Sequence, residues 1–132
     1  MNEIAKRGDW KTIEMPNARA TIPINRQYSD REFGRLSAGE IPQEMEDKWF
    51  IFYEEPVLHL HRSWTGFCVY QVEFQPDGRF FAANSAIVNR DESQYTERND
   101  EHDMMLLGIL MDRRAGRDTE QQWKDYIDAK RS

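Results

Sequence analysis

The feature that most constrains the fold is an alternation of apolar and polar side chains on both sides of a short turn. Residues 57–63 read VLHLHRS and residues 67–75 read FCVYQVEFQ, with Trp64, Thr65 and Gly66 between them. A three-residue loop that ends in glycine is a common hairpin connection, because glycine readily adopts the left-handed conformation that the turn needs. The pattern therefore predicts two antiparallel strands joined through Gly66.

The side-chain pattern also predicts the register of this hairpin. Pairing Leu60 with Tyr70 and Leu58 with Val72 gathers the apolar residues, whereas a one-residue slip would send every side chain to the other face. The predicted apolar face carries Leu58, Leu60, Cys68, Tyr70, Val72 and Phe74. The predicted second face carries His59, His61, Ser63, Val69, Gln71 and Glu73.

Further strand and helix signals surround the hairpin. Residues 48–53 and 79–88 are predicted strands, and residues 21–24 are a short edge strand that tolerates proline. Residues 29–39 form a short helix that starts with a capping box and ends at Gly39. A second helix is predicted to begin at Asn99 or Asp100 and to end at Gly116, and a final helix begins with a capping-box pattern at Asp118 and Gln121 and carries Trp123, Tyr126 and Ile127 on its apolar side. We predict an α+β fold: an antiparallel meander of about four strands with packed N-terminal and C-terminal helices, the first helix on one face and the others on the opposite face.

Length and charge restrict the domain organisation and the partners. A chain of 132 residues suits a single domain, 1–132, in which residues 1–20 form a loosely packed arm or a short strand. The net charge of -6 disfavours nonspecific binding to nucleic acid or anionic membranes, so we expect neither partner. The sole cysteine, Cys68, and the absence of a signal-peptide pattern predict a cytoplasmic setting.

The densest group of functional side chains lies at the turn. It comprises His61, Arg62, Ser63, Trp64 and Thr65, which we predict to bind ligand. A guanidinium beside free turn N–H groups can hold a phosphate or carboxylate, and an indole ring can stack on a base or sugar. Turn formation and core packing alone also explain most of these residues.

The predicted register separates two members of this group. His61 and Arg62 point to opposite faces of the strand, since successive side chains alternate. The function is therefore expected to gather either around Arg62 and the Trp64 turn, or around the histidine face with Glu73. The sequence leaves this choice open.

Two histidines invite the hypothesis of a metal site. His59 and His61 point the same way, about 7 Å apart, and Glu73 or Glu55 would have to complete the ligand set. The helical spacing of zinc proteases, two histidines four apart with a glutamate, is absent from the sequence. We therefore predict no metal site, with the histidines half-buried and bonded to neighbours, and a structural Cys68 on the apolar face.

Three stretches stand out together: residues 46–50 (EDKWF), residues 61–66 (HRSWTG) and the acidic segment before residues 104–107 (MMLL). Through them the chain resembles, over residues 20–116, a family of small uncharacterised bacterial proteins. The resemblance implies a bacterial, cytosolic setting and brings no activity with it. It singles out the HRSWTG block and the acidic loop as places to look for function.

These observations favour a non-catalytic binding or interaction protein, because the sequence contains no complete catalytic set. The expected partner is a protein or a small anionic ligand, and no cofactor is identified. One alternative is an enzyme or sensor that acts on a phosphate-bearing small molecule such as a nucleotide, through Arg62 and its neighbours. Another is a metal-dependent hydrolase that uses His59 and His61.

Overall fold

The computed structural model describes residues 4–131, which form a six-stranded antiparallel sheet with helices packed on it. The strands are β1 (Arg19–Ser29), β2 (Trp49–Glu54), β3 (Val57–Arg62), β4 (Cys68–Glu73), β5 (Gln75–Asp77) and β6 (Phe80–Asn89). The helices are α1 (Asp30–Ala38), α2 (Asp100–Ala115) and α3 (Glu120–Arg131), with a 3-10 turn at Arg7–Asp9. The predicted α+β class is confirmed, with six strands where about four were expected.

The sheet order β1-β6-β4-β3-β2 contains the predicted meander, and β5 pairs with β6. Strand β1 lies at the edge, as predicted for residues 21–24, but it extends over 11 residues. Its ladder with β6 is interrupted between Pro23 and Arg26, where Asn25 has a positive φ of 46°. An edge position suits Pro23, because proline has no N–H to donate to a second neighbour.

Helix α1 begins and ends where the sequence predicts. The Ser29 hydroxyl accepts a hydrogen bond from the Glu32 N–H at 3.2 Å, and the Glu32 carboxylate accepts one from the Ser29 N–H at 2.9 Å. Gly39 follows the last turn with a φ of 74°. Phe33 and Leu36, three residues apart on one face, are buried in the core.

The helices do not lie on opposite faces of the sheet, so that prediction is wrong. Phe33 of α1 and Leu107 and Met111 of α2 belong to one apolar core with the side chains of β3, β4 and β6. Helix α3 packs on α2. Both α1 and α2 pack on the sheet face with the larger apolar area, because the free energy gained by packing there grows with the apolar area that is buried.

The opposite sheet face lies under residues 4–18. Ala5 is buried against Phe50 and Phe52, and these three residues form a second, smaller core. The Trp10 indole donates a hydrogen bond to the carbonyl of Ser63 at 2.7 Å. This is the segment for which we expected a loosely packed arm or a short strand, and it contributes an isolated bridge between Ile13 and the residue after the turn.

The β3–β4 hairpin follows the predicted register only in part. Leu60 pairs with Tyr70 and the pairing continues as predicted towards the far end, but His61 pairs with Cys68. The register shift makes Val69 the additional residue of a bulge, and Val69 packs in the helix-side core. The predicted faces of Cys68 and Val69 are therefore both wrong, because a bulge breaks the alternation on which the prediction rested. Cys68 lies beside the histidines.

Candidate functional site

The five predicted ligand-binding residues occupy three different places. His61 lies on the face covered by residues 4–18, where it lines a cavity with Cys68. Arg62 lies in a cleft on the helix side. Ser63 and Trp64 line a groove at the turn. The structure thus separates His61 from Arg62, as the alternation of strand side chains requires.

Ser63, Trp64 and Thr65 hold the turn and the loop beside it. The Ser63 hydroxyl donates to the carbonyl of Asp47 at 2.7 Å, and the Trp64 indole donates to the carbonyl of Met45 at 2.9 Å. The Thr65 hydroxyl accepts from the N–H two residues later at 3.2 Å. Each polar group therefore has an internal partner, while most of the Trp64 ring is exposed.

Arg62 projects into a cleft of about 350 Å³ between the sheet and helices α2 and α3, which we call the Arg62 cleft. Its guanidinium carbon lies 5.2 Å from the centroid of the Trp49 ring, a cation–π distance. Within residues 4–131 this guanidinium has no hydrogen bond or ion pair. The lining comprises Glu40, Glu46, Asp47, Lys48, Trp49, Ile51, Arg62, Leu106, Ile109, Leu110, Arg113, Arg114, Trp123 and Tyr126.

Helix α3 provides an aromatic wall of this cleft. The Trp123 and Tyr126 rings lie 5.6 Å apart, and the Arg113 guanidinium lies 5.9 Å from the Trp123 centroid. Burial raises the pKa of the Tyr126 hydroxyl, and the positive charge of Lys130 and, to a smaller extent, that of Arg62 partly oppose that rise. The sequence places Trp123 on the apolar side of the last helix but carries no signal for the cleft, which depends on how α3 packs on α2.

Two of the carboxylates that line the cleft have partners of their own. Glu40 lies 3.5 Å from the guanidinium of Arg114, and its pKa is raised by burial, which that guanidinium partly offsets. The Asp47 carboxylate accepts hydrogen bonds from the backbone N–H groups of Gln43 and Glu44. The third lining carboxylate, Glu46, forms no ion pair with Arg62 either, so among residues 4–131 the Arg62 guanidinium has no carboxylate partner.

On the other face, His59, His61 and Cys68 form a buried cluster. One potential ligand atom from each lies within 4.8 Å of those of the other two. His61 Nδ1 lies 2.8 Å from the carbonyl oxygen of Gly66, whereas His61 Nε2 is buried without a hydrogen-bond partner. The cluster borders a cavity of about 450 Å³, which Arg7, Glu14, Met15, Arg19 and Gln71 also line.

Burial sets the protonation states of this cluster. It lowers the pKa of His59 to about 4, with the positive charge of Arg7 adding to the effect. It also lowers the pKa of His61, and it raises the pKa of the Cys68 thiol to about 12. At neutral pH the cluster therefore contains two neutral imidazoles and a protonated thiol.

The carboxylates that we considered as further ligands lie elsewhere. Glu73 and Glu55 are both exposed, and neither belongs to the cluster. The Glu54 carboxylate lies 3.6 Å from His59 Nε2, and it is already paired with Arg7 at 2.6 Å. The sequence did not predict Cys68 as a member of the cluster, because the residue pattern gives no sign of the bulge that turns Cys68 towards the histidines.

The acidic loop between β6 and α2 is tied to a buried carboxylate. Asp103 accepts hydrogen bonds from the hydroxyls of Tyr70 and Tyr95, each at 2.6 Å, and from the Arg90 guanidinium at 2.7 Å. The side chain of Asp103 has no exposed surface. The loop to which the family resemblance pointed is thus held by a network whose visible role is structural.

Comparisons with known proteins add no family. No protein-family model, curated protein or solved structure matches the chain. The resemblance to small bacterial proteins therefore stays a prediction. Among residues 4–131, the helices are all too short or too polar to span a bilayer.

Proposed function

We propose that the protein is a non-catalytic binding protein whose ligand is a small anion with a flat ring, of the nucleotide class, held in the Arg62 cleft. The observation that carries the proposal is the Arg62 guanidinium, which stacks on Trp49 and faces the cleft without a hydrogen bond or ion pair within residues 4–131. A guanidinium binds phosphate and carboxylate groups bidentately.

The composition of the cleft supports a ligand with both an anionic group and a ring. Arg62 and Arg113 supply cations, and Trp123, which is 43% exposed, supplies a flat surface. Trp49 lines the cleft but is only 8% exposed, and its ring already contacts Arg62 and Tyr70. Stacking of a nucleobase on an aromatic side chain contributes about 1–3 kcal/mol, and a cleft of about 350 Å³ lies within the usual range for small-molecule sites.

The proposed setting is the cytoplasm of a bacterium. The free thiol of Cys68 supports it, since reducing compartments keep thiols unpaired. A nucleotide-class ligand would be abundant there. In this reading the expected partner is the small anionic ligand rather than a second protein.

Calorimetric titration with three probes tests the proposal. We expect adenosine monophosphate to bind more tightly than adenosine or inorganic phosphate, because only the nucleotide offers both the anion and the ring. Replacing Arg62 by methionine should weaken nucleotide binding at least about tenfold, the loss expected for a charged hydrogen bond of about 1.5–3 kcal/mol.

The matched control is Arg31→Met, which removes the same charge from an exposed position on α1 outside the cleft. It should leave the affinity unchanged. Equal affinities in the wild-type protein and Arg62→Met would refute the proposal, as would the absence of binding by nucleoside mono-, di- and triphosphates at millimolar concentration.

An enzyme that acts on the same ligand class is the second candidate. The observation that favours it is Glu40, a cleft carboxyl whose pKa burial raises, as expected for a general acid. Phosphorus NMR of nucleotides incubated with the protein separates the two readings. A binding protein forms no new phosphorus compound, whereas an enzyme produces the signals of a product, which Glu40→Gln suppresses.

A further inference from the structure

We propose that His59, His61 and Cys68 form a binding site for a transition-metal ion of the zinc class. The site lies on the sheet face opposite the Arg62 cleft, so the inference is independent of the proposed ligand. Three potential donor atoms, two imidazole nitrogens and a sulfur, lie within 4.8 Å of one another under residues 4–18. Imidazole and thiolate are the ligand types that such ions prefer.

The distances between the donors suit a site that closes around its ion. Zinc holds nitrogen at about 2.0–2.1 Å and sulfur at about 2.3 Å, so two nitrogens and one sulfur bound tetrahedrally lie about 3.3–3.6 Å apart. The three side chains must therefore move together by roughly 1 Å or less, which small torsional changes provide. Three protein ligands leave a fourth position, and the adjoining cavity of about 450 Å³ gives it room.

His61 is oriented as a ligand even without an ion. A carbonyl oxygen can only accept, so the neutral ring carries its proton on Nδ1 and donates it to Gly66. The lone pair is then on Nε2, which is buried and has no partner in the described part of the chain. A buried acceptor without a partner is uncommon in folded proteins, and a bound ion would satisfy it.

The surroundings fix both rings as metal sites do. Ligating histidines usually donate their other ring N–H to a carbonyl or a carboxylate. His61 has the Gly66 carbonyl in that position, and His59 has the Glu54 carboxylate 3.6 Å from Nε2. The other nitrogen of His59, Nδ1, accepts a hydrogen bond from the Gln71 amide at 3.3 Å, which a bound ion would replace. The Phe52 ring stacks on both imidazoles, with centroid distances of 4.8 and 5.4 Å.

Charge balance accompanies binding. The ion forms a bond to the Cys68 sulfur as the S–H bond breaks, and the proton passes to the solvent buffer with no change in oxidation state. Both imidazoles bind as neutral ligands, consistent with their lowered pKa values. The nearby charge of Arg7 is compensated by Glu54, to which it donates two hydrogen bonds of 2.9 and 2.6 Å.

Cobalt(II) titration of the full-length protein is the direct test, with Zn²⁺ as the competitor. Cys68 is the only cysteine, so a thiolate-to-cobalt charge-transfer absorption can come from no other residue. We expect this absorption to reach saturation at one ion per chain, to disappear in Cys68→Ala and to be removed by one equivalent of Zn²⁺. Binding should release one proton per chain near pH 7.5.

The third histidine supplies a matched control. His102 lies outside the cluster, so His102→Gln should bind cobalt like the wild-type protein, whereas His61→Gln should bind at least 10-fold more weakly. Imidazole NMR of the wild-type protein avoids any folding defect of a variant: Zn²⁺ should shift the signals of His59 and His61 and leave His102 in place.

Two results would overturn the site. One is the absence of thiolate-to-cobalt absorption at millimolar Co²⁺ together with unshifted His59 and His61 signals on addition of Zn²⁺. The other is stoichiometric binding that survives unchanged in a folded Cys68→Ala protein. Loss of nucleotide binding in Arg62→Met has no bearing on either readout.

Discussion

The buried Asp103 carboxylate accepts hydrogen bonds from three side chains. Replacing Asp103 by alanine would leave the Tyr70, Tyr95 and Arg90 donors without their shared acceptor. We expect Asp103→Ala to lower the free energy of unfolding by about 3–5 kcal/mol, measured by urea denaturation, because the Tyr70 and Tyr95 hydroxyls lose this buried acceptor and the Arg90 guanidinium keeps only the exposed Asp100 carboxylate.

Asp100 gives the control for this measurement. It also pairs with Arg90, at 2.6 Å, but its side chain is 57% exposed. Asp100→Ala should therefore cost about 0–1 kcal/mol. Similar losses in the two variants would show that burial of the Asp103 network contributes little.

The lowered pKa of Glu97 predicts that the protein becomes less stable as the pH falls. Burial opposes the ionisation of Glu97, but Lys130 and the backbone N–H groups of Asn99 and Arg98 outweigh that effect and lower its pKa to about 2. Its stabilising contribution is therefore complete above the unfolded pKa of about 4.3 and is lost as the pH falls towards 2.

Thermal unfolding between pH 5 and pH 2 measures this contribution. The melting temperature should fall less steeply in Glu97→Gln than in the wild-type protein. Glu92→Gln, which alters a carboxylate that is 87% exposed, should follow the wild-type curve. Parallel curves for all three proteins would contradict the role assigned to Glu97.

For individual residues, the sequence predicts which side chains are candidates for a functional site better than it predicts which of them lie close together. The alternation of strand side chains was enough to separate His61 from Arg62. The same rule placed Cys68 on the wrong face, because it assumes an unbroken ladder. Trp123 was missed because its place in the cleft depends on how α3 packs on α2.

Among the elements, the turn after β3 depends most clearly on one residue. Gly66 has a φ of 82°, and a Cβ added there would lie 3.2 Å from the carbonyl oxygen of Lys11. Gly66→Ala should therefore lose the roughly 1–2 kcal/mol of a left-handed non-glycine residue and a further amount from this contact. The measurement is the free energy of unfolding in urea.

Gly78→Ala is the matched comparison, because Gly78 has a φ of 63° with nothing within 4 Å of the added Cβ. Gly78→Ala should therefore lower the free energy of unfolding only by the roughly 1–2 kcal/mol of a left-handed non-glycine residue. If Gly66→Ala proved the milder of the two, residues 4–18 would not be packed on the turn as described.

Helix ends were predictable because their signals are local. Ser29 with Glu32, Asn99 and Gly116 all occupy the cap positions that their residue types favour. The bulge at Val69 was not predictable in the same way. The backbone N–H of Arg62 bonds to the carbonyl of Phe67, so the connection has four residues, whereas the sequence predicts three. The bulge takes up the resulting shift of one residue in the register.

In the molecule as a whole, the two candidate sites lie on opposite faces of the sheet. The helix side carries the Arg62 cleft, and the opposite side carries the cluster of His59, His61 and Cys68 beneath residues 4–18. The fold class was predictable from the patterns of strands and helices. The side chosen by each helix was not, because it depends on the total apolar area of each sheet face rather than on any one segment.

The net charge of -6 also matters at this scale. An anionic ligand approaches a protein whose mean field repels it, so binding must depend on close contacts with Arg62 and Arg113. The central claim is therefore local to the cleft, and a probe that reports on the cleft alone tests it best.

Indole NMR signals provide that probe, because the chain has four tryptophans. Trp49 and Trp123 line the cleft, whereas the Trp10 indole bonds to Ser63 at the turn. On titration with adenosine monophosphate, we predict that the N–H signals of Trp49 and Trp123 shift together and saturate while that of Trp10 stays in place. Unmoved Trp49 and Trp123 signals at saturating nucleotide, or larger shifts at Trp10, would contradict the account.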